Sequence, residues 1–315
     1  MQIPSDIHDR ATYFNSTKDG RGYNLLHLNA LYDLESQLFL DALIQNGREE
    51  HESRALVELI DRSELTEPVI LIADRGYEAY NNMAHIEQKG WNYLIRVKEK
   101  QGILSGLNLP DTPEFDACFS YSLSKRLTNR IRKEPQKYRW LPNKVQFDYI
   151  RDASDDLNPL SFRVVRFLVK EDLYETVITN LPADRFPASL LRMLYHKRWG
   201  IETAFRDLKY TLALTNFHAK KRPFIMQEIF ARMTLYNFAS LLRLHTCLMQ
   251  PKGKHLYRVN AAFAAHIARE FLLGFVPAAN VEALIASLLL PVQPGQHKPR
   301  NMRVKRPAYF QYRMI

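Results

Sequence analysis

Cysteine is nearly missing from this chain. The two in 315 residues, Cys118 and Cys247, stand far apart, with no Cys or His nearby at ligand spacing. A zinc site and a disulfide framework are therefore not expected, and a reducing cytoplasm is the expected compartment. Long apolar runs are missing too. No stretch of about 18 apolar residues occurs, so no membrane span is expected. The opening residues Met1-Gln-Ile-Pro-Ser-Asp6 lack the charged-then-apolar pattern of a secretory leader. Acids are outnumbered, 34 Asp and Glu against 44 Lys and Arg, for a net charge of +10. That balance favours a polyanionic partner, nucleic acid first, although a generally basic soluble protein has the same composition.

What is present reads as a globular protein. Apolar residues make up 46% and charged residues 25%, and the length suffices for one large or two moderate cores. Tyr23 to Tyr32 and Gln37 to Ile44 read as two strands joined by a turn at Asp33-Leu-Glu-Ser36, an antiparallel hairpin. Glu49 to Arg62 has helical spacing, with Leu56, Leu59 and Ile60 on one side. Val69 to Ala73 is a short unbroken apolar run, the mark of a fully buried strand. A helix over Glu78–Lys89, stopped by Gly90, and a strand over Trp91–Val97 follow it. Residues 100–185 change character, with prolines separating strand-like pieces such as Phe162–Val169 and Tyr174–Ile178. From Ala188 the pattern is mainly helical, over 188–210, 223–248, 258–273 and 279–290. The tail from His297 is rich in Pro and Arg, has no acid and is expected to be loose.

Two places could carry chemistry. Asp74 follows the buried strand where the chain emerges at the sheet's carboxyl edge, the active edge of open α/β sheets. Gly76 lets the backbone turn closely there. The plainer reading is an Asp that caps or turns the chain ahead of the next helix. The second place is the pattern Tyr195-x2-Arg198-x3-Glu202-x6-Lys209. On one continuous helix, with Tyr195 at zero, these side chains fall at roughly 0°, −60°, −20° and −40°. One carboxylate, two cations and a phenol would then share a narrow stripe. Carboxylates hold Mg²⁺, Arg grips phosphate in bidentate fashion, Lys acts as a point charge, and Tyr donates a hydrogen bond or stacks on a base. The plainer reading of Arg198, Glu202 and Arg206 is a surface ion-pair ladder. For Trp199 and Phe205 core packing is the expected role.

These stretches resemble a known family. Tyr23-Asn-Leu-Leu-His-Leu-Asn-Ala30, Ala73-Asp-Arg-Gly-Tyr77, and Tyr195-His-Lys-Arg-Trp-Gly-Ile-Glu202 through Asp207-Leu-Lys209 are similar to bacterial insertion-sequence DDE transposases. The subgroup is the one with the Tyr-x2-Arg-x3-Glu-x6-Lys signature, and the resemblance covers roughly residues 10–245. It implies an α/β fold with an RNase H-like core, interrupted by a mostly β insertion and followed by a helical C-terminal part. The implied parts are 1–99 and 186–250 for the core, 100–185 for the insertion, and 251–315 for the helical end with its basic tail. Asp74 and Glu202 would be the second and third acidic metal ligands. Tyr195, Arg198 and Lys209, with Arg206 on the same face, would engage phosphates. The implied reaction is Mg²⁺-dependent phosphodiester cleavage at the element's end, with Mn²⁺ able to substitute, followed by attack of the freed 3′-hydroxyl on target DNA.

One part of the family pattern is not met. Its first Asp sits in Asp-Gly-Ser or Asp-Gly-Thr on the first core strand, and neither tripeptide occurs here. Asp6, Asp9 and Asp19 have no buried strand before them, and Asp33 and Asp41 lie at the turn and in the second strand, so none replaces it. The expectation is a chain shortened at its N-terminus, its core incomplete at that strand and its catalysis impaired. The alternative is a non-catalytic remnant that binds DNA or partner proteins. Residues 125–144 hold Lys125, Arg126, Arg130, Arg132, Lys133, Lys137, Arg139 and Lys144 against Glu134, with Tyr138 and Trp140 interleaved. Cations and rings in that mixture suit DNA, and a solvated basic face suits them equally. Lys298, Arg300, Arg303, Lys305 and Arg306 in the tail are a further non-specific candidate. Expected partners are double-stranded DNA, at element ends and target, and a second copy as a homodimer.

Overall fold

In the computed structural model, alternating apolar residues from Tyr23 to Asn46 pair as the sequence predicts. The structure describes residues 1–15, 22–99, 101–152, 154–246 and 256–292, together with the backbone at 311–312. Cys247, Asp19 and the basic tail residues from Lys298 to Arg306 lie outside them. Two short strands come first, β1 (Gln2–Ile3) and β2 (Tyr13–Phe14), then the long hairpin of β3 (Tyr23–Asp33) and β4 (Leu38–Asn46). The strands β1, β2 and β4 all pair antiparallel with β3. Asp33 closes the hairpin turn, accepting from the backbone N–H groups of Glu35 at 3.0 Å and Ser36 at 3.2 Å.

The next stretch forms a compact unit of its own, His51–Arg198. Helix α1 (Glu52–Asp61) starts where the His51 side chain accepts from the Arg54 N–H, and it buries Leu56, Leu59 and Ile60. Strand β5 (Ile70–Ala73) is followed by a 3-10 turn over Arg75–Tyr77, helix α2 (Tyr80–Gln88) and strand β6 (Asn92–Arg96). Strands β5 and β6 run parallel, with Ile70 to Ala73 opposite Asn92 to Ile95. The expected helix from Glu78 thus begins two residues late, because the turn after Asp74 comes first. Beyond it lie β7 (Phe115–Ser124), α3 (Asn129–Lys133), β8 (Tyr138–Trp140), β9 (Leu157–Lys170), β10 (Leu173–Thr179) and α4 (Ala188–Lys197).

The strands after residue 100 are as β-rich as expected, and they share a sheet with β5 and β6. The order is β5-β6-β10-β9-β7-β8, with β5 at one edge. Long antiparallel pairings of β9 with β7 and with β10 tie this sheet together. Leu94, Val165, Phe167, Val177, Leu181 and Leu191 form a core cluster on it with Tyr195. The unit's boundaries fall at 50/51 and 198/199, whereas the resemblance divides the chain at 99/100 and 185/186.

Buried polar contacts in this unit gather on His85 of α2. Its Nδ1 lies 2.9 Å from Asp61 and its Nε2 3.0 Å from Asp148, while Asn81 donates to the same Asp148 oxygen at 2.7 Å. Burial pushes the Asp148 carboxyl up, but hydrogen bonds from Asn81, Gln146 and His85 outweigh it and hold the group below its ordinary value. A depressed carboxyl contributes stability that is present above its unfolded value, about 4, and lost as pH falls through the lower folded value. The urea midpoint should therefore decline as pH drops below about 4. Asp148→Asn should cost about 1 kcal/mol at pH 7, modest because the site is partly solvated, and flatten that acid limb. Urea titrations of both proteins at several pH values would check this.

The other compact unit joins Met1–Glu50 to Trp199–Ile315. Its later elements are α5 (Trp199–Tyr210), β11 (Asn216–Phe217), α6 (Arg222–His245), β12 (Tyr257–Val259), α7 (Ala261–Leu272), α8 (Ala278–Ser287), β13 (Leu289–Pro291) and β14 (Gln311–Tyr312). The core is built from Leu26, Phe39 and Ala42 of the hairpin, Ala204 and Leu208 of α5, and Ile225, Ile229, Met233 and Tyr236 of α6. Asn237 fastens α6 to β4 by bonding both the N–H and the carbonyl of Phe39 at 2.8 Å. The helices expected over 258–273 and 279–290 are shorter. Asn260 caps α7 through the N–H groups of Ala262 and Phe263, so residues 257–259 are free to pair with β13.

Candidate active site

Asp74 stands at the carboxyl end of β5, where the parallel pair opens. Its Oδ1 accepts from the Arg75 N–H at 2.8 Å, and its backbone carbonyl accepts from the Tyr77 N–H at 3.0 Å, closing the 3-10 turn. The capping role is therefore real. It leaves the group oriented, since the Tyr195 hydroxyl also donates to Oδ1, at 3.4 Å. Gly76 has a different reason from the one its sequence suggests. Its φ is not in the left-handed region. A Cβ there would lie 2.8 Å from a carboxylate oxygen of Glu52, an exposed and flexible side chain that would have to shift. Burial, followed by the charges of Glu52 and Asp74, pushes the Tyr77 phenol up to about 12. Glu52 is a neighbour of the Asp74 turn that the motif did not reveal; its position as the acid opening α1 was the available signal.

Tyr195 lies on α4, almost wholly buried at 4% exposure. Burial first, then the Asp74 charge, pushes its phenol up to about 12. The Arg198 guanidinium lies over its ring, 5.7 Å from the centroid. Asp74, Tyr195 and Arg198 therefore come together within one unit.

The expectation of one continuous helix from 188 to 210 is not met. Helix α4 ends at Lys197 and α5 begins at Trp199. Arg198 keeps αR backbone angles but its N–H turns to the Tyr195 carbonyl, three residues back, at 3.0 Å. This tightened turn is the boundary between the two units. The angular stripe counted from Tyr195 to Lys209 on one helix accordingly does not apply. Within α5 a shorter stripe survives. Glu202, Arg206 and Lys209 stand four and three residues apart and share a face roughly 60° wide, while Ala204 and Leu208 are buried on the other side. Arg206 and Lys209 are exposed, and Glu202 is half-buried.

Other expectations divide. Phe205 packs on Phe39, with ring centroids 5.6 Å apart, as expected of a core residue. Trp199 is 51% exposed and is not a core residue; at 100° per residue it falls opposite the buried Leu208 on α5. In the basic stretch, Arg130, Arg132 and Lys133 lie on α3, all exposed, and Trp140 on β8 is 41% exposed. Lys125 is buried, bonded to the Val145 carbonyl at 2.6 Å and paired with Asp152 at 3.3 Å. Arg126 pairs with Asp155 at 2.8 Å, and Tyr138 is buried. These three serve the fold, through partners that the local count of acids overlooked.

Among the described residues, no three His, Cys, Asp or Glu side chains stand close enough together to hold a metal ion, and no helix is long and apolar enough to cross a membrane. The chain is similar to InsL, the protein assigned as transposase for insertion sequence element IS186A in Escherichia coli strain K12. The two are 26% identical over 227 residues, covering 66% of this chain and 58% of the relative. The transposase for insertion sequence element IS421 of Escherichia coli matches equally, with 57% of its length covered. The chain thus spans less than two thirds of the length of these relatives. The family described as the transposase DDE domain matches residues 5–238, about three quarters of the sequence. The chain belongs to the DDE transposase domain family of insertion sequences.

Proposed function

We propose that this chain forms most of a transposase catalytic region of RNase H-like type, in the subgroup with the Tyr195, Arg198, Glu202, Lys209 signature. In this reading 1–99 and 186–250 are the two parts of the core, 100–185 is the insertion and 251–315 the C-terminal part. It acts on double-stranded DNA at the ends of an insertion sequence. The observation that carries the reading is the placement of Asp74, a carboxylate at the carboxyl end of an edge strand in a parallel pair, where α/β sheets put their chemistry.

Asp74 and Glu202 are the residues that would hold Mg²⁺, with Mn²⁺ as a substitute. Carboxylate oxygens are the ligands such hard cations take. The Arg75 N–H and the Tyr195 hydroxyl both donate to Oδ1 of Asp74. Bound by these carboxylates, the cation would supply Lewis acidity to a phosphodiester oxygen. The chain's own residues grip the DNA: Arg198 and Arg206 as bidentate phosphate ligands, Lys209 as a point charge, and Arg130, Arg132 and Lys133 along the backbone. Trp140 offers a ring to an unpaired base.

Two of the family's three carboxylates are assigned in this way, and β5, at the sheet's edge, is where a further strand could pair. With two carboxylates the chain should cleave an element-end duplex slowly. The check is Mg²⁺-dependent nicking of such a duplex, followed on a gel, with Glu202→Ala alongside. Fast turnover abolished by Glu202→Ala would show the site to be complete and overturn the impaired part of the reading. A second reading, a DNA- or partner-binding protein without catalysis, is favoured by the lack of Asp-Gly-Ser or Asp-Gly-Thr in the sequence. It expects binding that Asp74→Ala leaves unchanged and no cleavage at any Mg²⁺ concentration.

A further inference from the structure

We propose that the connection from α5 to α6 is a preformed DNA-contact surface, on which Lys220 and Lys221 grip phosphates. The inference rests on the reading of this chain as one that acts on DNA, and it adds a surface outside the signature. From Lys209 to Gln227 the sequence holds no acid, and its Lys and Arg are Lys209, Lys220, Lys221 and Arg222. Arg222 serves the fold, since its guanidinium meets Asp9 at 3.3 Å and Asn46 at 3.2 Å. Lys220 and Lys221 are exposed, and among the described residues no hydrogen bond or ion pair engages their side chains. The fold gains nothing from them there. Three successive cations at the start of α6 repel one another and oppose the helix dipole.

The backbone that carries them is fixed. Glu228, the first acid after the connection, accepts from the N–H groups of His218 at 3.0 Å and Ala219 at 2.7 Å. It also pairs with Arg232 at 3.1 Å, and Arg232 donates to the Asn216 carbonyl at 2.6 Å, with its guanidinium over the Phe217 ring. Leu214 and Phe217 are buried in the same cluster as Leu208 and Ile225. Lys209 follows Leu208, and Lys220 and Lys221 lie between Phe217 and Ile225, so these cations border one cluster. The Glu228 charge is thus taken up by backbone donors and Arg232. The lysines stand on a loop with little backbone freedom left to lose on binding. Fixed cations without a counter-ion in the protein fit a polyanion, and such contacts hold phosphate rather than read bases.

The test uses the full chain as wild type, Lys220→Ala with Lys221→Ala, Lys220→Arg with Lys221→Arg, Glu228→Ala, and Lys170→Ala as an exposed control. On a short random-sequence DNA duplex at about 50 mM salt, anisotropy should show the double Ala variant on the order of 10–100-fold weaker. Its salt slope should shrink by about 2, while the double Arg variant binds as wild type and Lys170→Ala stays within about twofold. Thermal melts of the double Ala variant should match wild type or rise, since repulsion is relieved. Glu228→Ala raises the net charge by one, so charge alone predicts tighter binding, whereas a loosened connection predicts several-fold weaker binding. A double Ala variant that binds no more weakly than Lys170→Ala overturns the inference and leaves the DNA reading standing. Wild type that does not bind overturns both. Equal or tighter binding by folded Glu228→Ala overturns the preformed part; if that variant does not fold, the lysine variants decide alone.

Discussion

Replacing Asp116 with Ala should destabilise the unit containing the six-stranded sheet by about 3 kcal/mol, one of the largest single-residue effects expected outside the apolar core. Arg163 on β9 is 4% exposed. Its guanidinium meets Asp116 of β7 through two parallel hydrogen bonds, one of them 3.1 Å from Nε. It also donates to the carbonyls of Leu181 at 2.7 Å and Phe186 at 3.2 Å. Removing Asp116 leaves a buried cation with carbonyl partners but no counter-charge, the costly half of a broken pair. Because the Asp116 side chain is 35% exposed, water can reach the gap and the loss belongs at the lower end of the 3–5 kcal/mol usual for such breaks. A double variant, Arg163→Met with Asp116→Leu, should recover much of the loss, since no charge is then stranded. Urea denaturation of the three proteins measures this; an Asp116→Ala loss no larger than that of an exposed ion pair would contradict it.

The consequence reaches the candidate site. Leu181 and Phe186 lie in the connection from β10 to α4, so Arg163 fixes where α4 starts and, through α4, where Tyr195 meets Asp74.

Much of this arrangement was legible in the sequence where one local force dominates. The run from Val69 to Ala73 was legible as a strand with Asp74 at its end, but not its burial: β5 lies at the sheet's edge, and Ile70 and Ile72 are only partly buried. The hairpin was legible because Asp33 bonds its own turn. The break at Arg198 was not read, because no proline stands there and its backbone angles are helical; Gly200, two residues on, was the local signal available. Lys125 was misjudged for a different reason. Its counter-ion Asp152 is 27 positions away, and a count of acids inside 125–144 does not include it. The exposure of Trp199 was within reach of periodicity, since at 100° per residue it stands beside Arg206 and opposite Leu208 on α5.

The affinity of the chain for duplex DNA should fall about a thousandfold between 50 and 200 mM salt. The estimate takes the six cations that the proposed function assigns to phosphate, without Lys220 and Lys221, which would steepen it: Arg130, Arg132, Lys133, Arg198, Arg206 and Lys209. Six phosphate contacts give a slope of roughly −5 in log affinity against log salt. Lys125 and Arg126 do not enter, because Asp152 and Asp155 already neutralise them. The composition alone, at net +10, does not make that distinction. Substituting Arg130, Arg132 and Lys133 together by Ala should halve the slope and weaken binding alike on all sequences, as loss of backbone contacts does. Trp140→Ala should leave duplex binding nearly unchanged while weakening single-stranded DNA by about 1–3 kcal/mol per stacked base. Lys125→Ala should do the reverse of the triple variant, lowering stability while keeping the salt slope. Anisotropy titrations at four salt concentrations separate these outcomes. A slope indifferent to the triple substitution would mean that the cations of α3 face solvent in the complex, leaving the grip on DNA to Arg198 and the exposed face of α5.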